Sequence, residues 1–157
     1  MLTWKEFAGA DPELAETGRS LLYQFGVGLA FLATVRKDGA PRLHPVCPVL
    51  SNDRLYVLIT PTSPKRYDLL RDGRYALQTF PQPKEGSDEF YITGRAELVD
   101  DPAIRASVFR DAKHMADELE ILFELKIERV MHTRWENLRT PQMRSVHRKW
   151  RAPAGQS

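Results

Sequence analysis

The sequence contains very little cysteine and no long hydrophobic run. Cys47 is the only cysteine among 157 residues, so no disulfide can form within the chain, and this composition fits a reducing compartment. Charged residues interrupt every apolar stretch before it reaches the length of about 20 residues that a membrane-spanning helix needs. The N-terminus also lacks the basic and then apolar order of a signal peptide. We therefore expect a cytoplasmic protein that does not bind a membrane.

The chain also has little net charge. Its formal net charge of +2 is too small to indicate a nucleic-acid-binding protein, although basic residues are concentrated between Arg134 and Arg151. The four histidines and Cys47 lack the spacing of metal ligands, so no metal site is expected. Hydrophobic residues make up 42% of the sequence, which is typical of one globular domain of this length.

Turn signals predict antiparallel pairing of neighbouring strands in the first half of the chain. The apolar run at residues 29–35 is followed by Asp38-Gly39, a dipeptide typical of β-hairpins. Asn52-Asp53 then precedes the β-branched run at residues 55–60. The strand predicted between these turns, residues 43–50, contains Pro45 and Pro48, which indicates an edge strand, a bulge or a kink.

The remaining elements complete a small α+β domain. Helices are predicted after Asp11, after Ser63 and over residues 103–115, and further strands at residues 74–80, 89–99 and 123–130. Gly94 indicates a bulge or a close backbone approach within its strand. Residues from Trp135 onward show no regular pattern. The order predicts a mainly β fold, in which six antiparallel strands form a small closed barrel with helices at its ends.

The segment after the strand at residues 55–60 is the most informative one. It places a hydroxyl (Ser63), a proline suited to the first helical position (Pro64) and two adjacent cations (Lys65 and Arg66) at the start of a short amphipathic helix. The N-terminus of a helix carries unpaired N–H groups and attracts anions, so the segment fits a phosphate site. A plain capped helix with solvated basic residues has the same pattern, and the two interpretations remain open.

Four motifs in a fixed order give the chain a family resemblance. They are Thr34-Val-Arg-Lys-Asp-Gly-Ala-Pro41, Arg42-Leu-His-Pro-Val-Cys-Pro48, Thr62-Ser-Pro-Lys65 with the helix after it, and Tyr91-Ile-Thr-Gly-Arg-Ala-Glu97. In this order they resemble the pyridoxamine 5'-phosphate oxidase-like superfamily, the flavin-binding split barrels. The resemblance covers residues 29–130 and implies an antiparallel six-stranded split β-barrel with flanking helices.

The resemblance also implies a cofactor and its contacts. Family members bind flavin mononucleotide (FMN), usually as homodimers that share the cofactor sites, and act on small molecules. Carried over by position, the phosphate contacts fall on Ser63 and Lys65, and the ring lies along the strand at residues 42–47. The implied cofactor-binding residues are Arg42, Leu43, His44, Pro45, Val46, Cys47, Leu58, Ile59, Ser63, Pro64, Lys65 and Arg66. One FMN-binding domain is expected over residues 1–157, with its core at about residues 20–135 and a basic tail at residues 136–157.

Two departures from the family pattern leave the substrate open. Glu89 stands where the oxidase has a flavin-binding glutamine, and the segment Met143-Arg-Ser-Val-His-Arg148 lacks the spacing of the oxidase's substrate-binding element. The sequence is therefore interpreted as an FMN-dependent oxidoreductase acting on an unknown small molecule, with no catalytic residue assigned. The alternatives are a deazaflavin-dependent reductase and a non-catalytic protein that binds flavin or haem.

Several other residues have two interpretations each. His44 either donates to a flavin carbonyl or is a buried histidine bonded to backbone, and Arg42 either meets the cofactor or is solvated. Cys47 is interpreted as a small packing residue and not as a nucleophile. Trp135 and Trp150 either cover a ring in a partner subunit or anchor the tail to the barrel. Four acids are interpreted as solvated helix faces: Glu13, Glu16, Glu118 and Glu120.

Overall fold

The computed structural model describes residues 1–82, 88–113 and 117–154 of the chain. Four helices lie in these ranges: α1 (Trp4–Ala10), α2 (Pro12–Leu22), α3 (Pro64–Arg71) and α4 (Pro102–Asp111). The same ranges contain eight strands: β1 (Ala30–Val35), β2 (Pro41–Val46), β3 (Val49–Ser51), β4 (Arg54–Ile59), β5 (Arg74–Thr79), β6 (Glu89–Leu98), β7 (Ile121–Glu136) and β8 (Arg144–Arg151). The end of the helix predicted over residues 103–115 lies outside the described residues.

The strands form one antiparallel sheet that curls on itself. Its order is β2-β1-β5-β6-β7-β4-β3, and β8 pairs with the second half of the long strand β7. β2 and β3 follow each other in the chain yet lie at opposite edges of the sheet, so the sheet curls until Cys47 and Pro48 bridge its two edges. The α+β split-barrel fold with flanking helices is thereby confirmed. The expectation of a closed barrel was wrong, because the two edges do not pair with each other.

The sheet has eight strands where six were predicted, and prolines explain part of the difference. The strand predicted at residues 43–50 is divided into β2 and β3, because Pro48 has no N–H to donate to a ladder. Pro45 is tolerated within β2, because β1 is the only partner of this strand among the described residues and β2 lies at an edge of the sheet. Of the three interpretations that the prolines left open, the structure shows an edge strand that ends at a break.

The C-terminal segment supplies the eighth strand, although its polar sequence predicted an irregular tail. β8 pairs with β7 over its whole length. The guanidinium of Arg148 contacts Asp11 and Glu13, each at 2.7 Å, and so connects β8 to α2 and its N-cap. The ring of Trp150 packs on Phe7, with ring centroids 4.9 Å apart. Trp150 therefore anchors the segment to the rest of the chain.

The hydrophobic core fills the inside of the curled sheet beneath α1 and α2. Its largest fully buried side chains are Trp4, Phe7, Phe90 and Phe123. α2 lies directly on the ring of Phe90 because Gly18 has no side chain; a Cβ there would come within 2.3 Å of the ring. No helix in the described ranges is long and apolar enough to cross a membrane.

Gly94 marks an irregularity in the pairing of β6 with β7. The register of the two strands shifts between Thr93 and Gly94, as expected for a β-bulge. The backbones also approach closely here, because a Cβ on Gly94 would lie 1.8 Å from the carbonyl oxygen of Lys126. Both interpretations of this glycine are therefore confirmed.

Candidate functional site

A cavity opens at the gap between the two edges of the sheet. Its volume is about 310 Å³, and the bridging residues Cys47 and Pro48 form one wall. β4 contributes Leu58 and Ile59, and the loop after α2 contributes Gly28. Polar side chains that line the cavity include Tyr23, Lys65 and Glu120. A concave site with apolar walls and a few polar groups is typical of a small-molecule or cofactor site.

Half of the residues predicted to bind a cofactor line this cavity. They are Pro45, Val46, Cys47, Leu58, Ile59 and Lys65. They come from the end of β2, from β4 and from the start of α3, which are separate segments of the sequence. The curl of the sheet brings them together, because β2 forms one edge and β4 lies next to the other.

The other half lie beside the cavity and do not line it: Arg42, Leu43, His44, Ser63, Pro64 and Arg66. Alternation along β2 does not separate the two groups, because Val46 shares a face with Arg42 and His44 while Pro45 shares a face with Leu43. The lining residues of β2 are instead the ones nearest the bridge to β3. Leu43 lies on the outer face and is 63% exposed, whereas Arg42 and His44 lie half-buried on the other face.

Three basic side chains lie close together where β2 meets the start of α3. Burial and the positive charge of Arg42 lower the pKa of Lys65, with Glu120 acting weakly in the opposite direction. Burial and the charges of Lys65 and Arg42 likewise lower the pKa of His44. No carboxylate of the described residues lies within ion-pair distance of Lys65 Nζ. Because the charged forms of Lys65 and His44 are disfavoured here, an anion bound at this place would stabilise both of them.

The start of α3 adds further donors to this cluster. Ser63 occupies the N-cap position as predicted, but its hydroxyl makes no capping hydrogen bond. Arg66 donates from Nη1 to the carbonyl of Pro61 at 3.2 Å, while its buried Nε has no partner among the described side chains and backbone groups. A free hydroxyl, an unpaired buried N–H and a helix N-terminus together fit a phosphate. A plain cap would use the Ser63 hydroxyl to accept from the helix backbone, and that hydrogen bond is not made here.

Tyr23, Gly28 and Glu120 are among the cavity-lining residues that were not predicted from the sequence. The Tyr23 hydroxyl accepts a hydrogen bond from the backbone N–H of Leu50 at 2.8 Å and so fixes its ring at the cavity wall. Gly28 lies against Pro48, in the segment that bridges the two edges of the sheet. In the sequence, Gly26-Val-Gly28 indicates only the end of the preceding helix. Glu120 was expected on a solvated helix face, which was wrong because it directly precedes β7 and lines the cavity.

Cys47 lines the cavity with a half-buried thiol. Burial and the negative charge of Glu120 raise the pKa of this thiol, so its protonated form predominates at neutral pH. We expect iodoacetamide to alkylate Cys47 more slowly at pH 7 than it alkylates the same cysteine in the urea-unfolded chain. As the pH is increased, alkylation of the folded chain should accelerate at higher pH values than alkylation of the unfolded chain. Equal rates and equal pH profiles, measured by mass spectrometry, would contradict this prediction.

A second cavity, of about 350 Å³, lies on the outer side of the sheet. The rings of Phe31 and Phe80 stack there with centroids 4.3 Å apart, and Trp135 contributes to the same wall. Glu89, the residue that departs from the family pattern, lies at this cavity and not at the first one. Within the described ranges, no three side chains of the metal-ligating types converge in either place.

The curled antiparallel sheet defines a split-barrel protein, and a cavity with a cluster of basic side chains beside it lies at the gap between the two edges of the sheet. Residues 24–134 match the family model described as pyridoxamine 5'-phosphate oxidase. The chain belongs to this family, which confirms the resemblance seen in its motifs. No curated protein matches the chain.

Solved structures with this fold share little sequence with the chain. A Clostridium acetobutylicum protein of the pyridoxinephosphate oxidase family, related to general stress protein 26, has a TM-score of 0.64 at 14% identity, over 87% of this chain and 93% of its own. HutZ, the haem storage protein of Vibrio cholerae, has a TM-score of 0.57 at 17% identity, over 75% and 89%. A haem-binding protein of Mycobacterium smegmatis has a TM-score of 0.59 at 17% identity, over 81% and 55%. At these identities the similarity shows the fold alone.

Proposed function

We propose that the chain binds FMN and uses it to oxidise or reduce a small organic molecule. The observation that carries this proposal is the group of unpaired donors at the start of α3, where Ser63, Lys65 and Arg66 lie beside the cavity. A phosphate ester is the oxyanion that suits two cations and a hydroxyl at a helix N-terminus. Membership of the pyridoxamine 5'-phosphate oxidase family supports a flavin as the molecule that carries this phosphate.

In this proposal, one group of residues holds the phosphate of FMN and another holds its ring. Ser63, Lys65 and Arg66 would hold the phosphate, with Arg42 and His44 close by. The ring would lie in the 310 Å³ cavity against the bridge between β2 and β3 and against β4. The bound flavin supplies the hydride or electron transfer. The chain binds and orients it and excludes water from one side, and we assign no side chain as a catalytic acid or base.

We also propose that two copies of the chain associate through the outer face of the sheet. Apolar side chains lie next to each other across neighbouring strands on this face, with Leu43 opposite Ala33 and Ala33 opposite Ala76. Leu43 is 63% exposed, and Phe31 and Tyr91 on the same face are half-buried. A contiguous apolar face of this kind is typical of an interface between protein subunits. The whole chain, residues 1–157, is proposed to act as one FMN-binding domain in this dimer.

The bound small molecule itself provides the test. We expect the purified chain to be yellow and to release FMN on denaturation, identified by its mass, with one FMN per chain after reconstitution. A colourless protein that binds a deazaflavin would favour the deazaflavin-dependent alternative. A Soret band and release of haem would favour the haem-binding alternative, for which no histidine lines the cavity within the described ranges. Binding of none of these compounds would overturn the proposal.

A second measurement separates an enzyme from a carrier. An oxidoreductase should show steady consumption of a reduced nicotinamide in the presence of an electron acceptor, with the rate proportional to the FMN-loaded fraction. A carrier or storage protein would show at most a single turnover per bound flavin. Sedimentation of the loaded protein checks the dimer, and the exposed Leu43 provides the variant, because Leu43→Glu should yield monomers.

A further inference from the structure

α3 carries a buried carboxylate, Asp68, which does not line the cavity and is not one of the proposed phosphate ligands. Asp68 is 4% exposed, and it accepts hydrogen bonds from Thr34 Oγ1 at 2.9 Å, Arg42 Nε at 2.7 Å and Arg71 Nη2 at 3.3 Å. These donors lie on β1, on β2 and in the last turn of α3. A buried carboxylate is strongly unfavourable unless such donors compensate it, so the four side chains form one unit.

This unit connects the two elements that present the basic cluster. Arg42 is held through Nε, and its terminal nitrogens make no hydrogen bond within the described part of the chain, so they remain available to a ligand. Lys65 lies one helical turn before Asp68 on α3. The contacts of Asp68 therefore hold the Arg42 guanidinium and connect α3 to β1 and β2.

We propose that Asp68 is a positioning residue for phosphate recognition, which holds the Arg42 guanidinium and the start of α3 in the arrangement that presents both to one oxyanion. Asp68 acts through these groups and does not itself touch the ligand. The inference rests on the proposed function, because it takes the FMN phosphate as the oxyanion.

Electrostatics alone predicts the opposite effect of this carboxylate. The negative charge of Asp68, which pairs with Arg42 and also acts on His44, lowers the positive potential of the site, so its removal should tighten anion binding if charge alone mattered. A positioning role predicts weaker binding, because the guanidinium and the helix would lose their alignment. Burial raises the pKa of Asp68, but the hydrogen bonds from Arg42 and Thr34 outweigh this and leave the pKa lowered. The carboxylate is thus charged at neutral pH, and the sign of the effect separates the two explanations.

The experiment compares FMN with riboflavin, which has the same ring without the phosphate. Asp68→Asn keeps the size of the side chain but removes the charged acceptor of Arg42. We expect its Kd for FMN to rise by about tenfold or more, the scale of a lost charge-assisted contact, and its Kd for riboflavin to change by less than about twofold. Thr34→Val removes one donor without changing any charge, and it should raise the Kd for FMN by a smaller factor. This second variant keeps the inference testable where Asp68→Asn does not fold.

Asp72→Asn is the matched control, because Asp72 ends α3 and binds Arg74 at 2.6 Å, away from the basic cluster. Its preference for FMN over riboflavin should equal that of the wild type. A folded Asp68→Asn variant that binds FMN as tightly as the wild type, or more tightly, overturns the inference. Equal losses for FMN and riboflavin also overturn it, because a merely structural role affects both. A wild type that binds FMN no better than riboflavin instead shows that the proposed function is wrong.

Discussion

Replacing Lys65 with alanine should weaken FMN binding by about 1.5–3 kcal/mol, or roughly 10- to 150-fold in Kd. Lys65 is the cation that lines the cavity at the start of α3, and no carboxylate of the described chain neutralises it. Removing it therefore takes away a charge-assisted hydrogen bond to the phosphate. Fluorescence titration with FMN measures the loss, and titration with riboflavin should show little change.

The same variant should keep or gain stability without ligand. Burial and the charge of Arg42 lower the pKa of Lys65, so its positive charge is unfavourable in the folded protein until an anion binds. Because its pKa is lowered, Lys65 loses its positive charge at a lower pH than an ordinary lysine does. As the pH rises, the FMN affinity of the wild type should therefore begin to decline at that lower pH, whereas Lys65→Ala should show no such decline. Lys149→Ala, on the exposed strand β8, is the control for loss of one positive charge. Unchanged FMN affinity in Lys65→Ala would remove this residue from the site.

Replacing Gly28 with alanine should destabilise the protein by about 3 kcal/mol and abolish ligand binding at the cavity. A Cβ at Gly28 would lie 1.9 Å from the carbonyl oxygen of Pro48, in the segment that bridges the two edges of the sheet. This neighbour is backbone, so it can move only if the bridge itself shifts. Both residues line the cavity, and such a shift would therefore deform the site as well as the fold.

Urea unfolding of Gly28→Ala measures the loss of stability, and FMN titration of the folded fraction measures the loss of the site. Gly9→Ala is the control, because no atom lies within 4 Å of the position that its Cβ would occupy in α1. This control should be neutral or stabilising by up to about 1 kcal/mol, since alanine is the better helix former. If Gly28→Ala unfolds at the same urea concentration as the wild type, the close approach to Pro48 is not important for stability.

Features that depend on neighbouring residues were predicted well. The Asp38-Gly39 turn, the helix that starts after Ser63 and the bulge at Gly94 all lie where the sequence places them. Each has a local cause, because turn geometry, a proline at the first helical position and a glycine in a strand act within a few residues. The order of the motifs also led correctly to the family, since the family model matches residues 24–134, a range that includes all four motifs.

Features that depend on distant residues were not predicted. β8 is polar and exposed along most of its length, so it lacks the alternation of a half-buried strand; it forms because β7 offers a free edge and Trp150 packs on Phe7. The place of Glu120 at the cavity was not predicted, because it depends on where β7 begins in the folded chain. Similarly, the sequence could suggest Ser63 as a cap, but only the structure shows that its hydroxyl is free.

The amino-acid sequence thus determined most helices and strands between α2 and β7, the antiparallel hairpins and the presence of cations at the start of α3, because these follow from short-range sterics and hydrogen bonding. The tertiary structure alone decided that β2 and β3 lie at opposite edges of one curled sheet, and that a cavity opens between them beside Lys65. That arrangement arises when apolar side chains from the whole chain are buried together, and no single segment of the sequence contains the information for it.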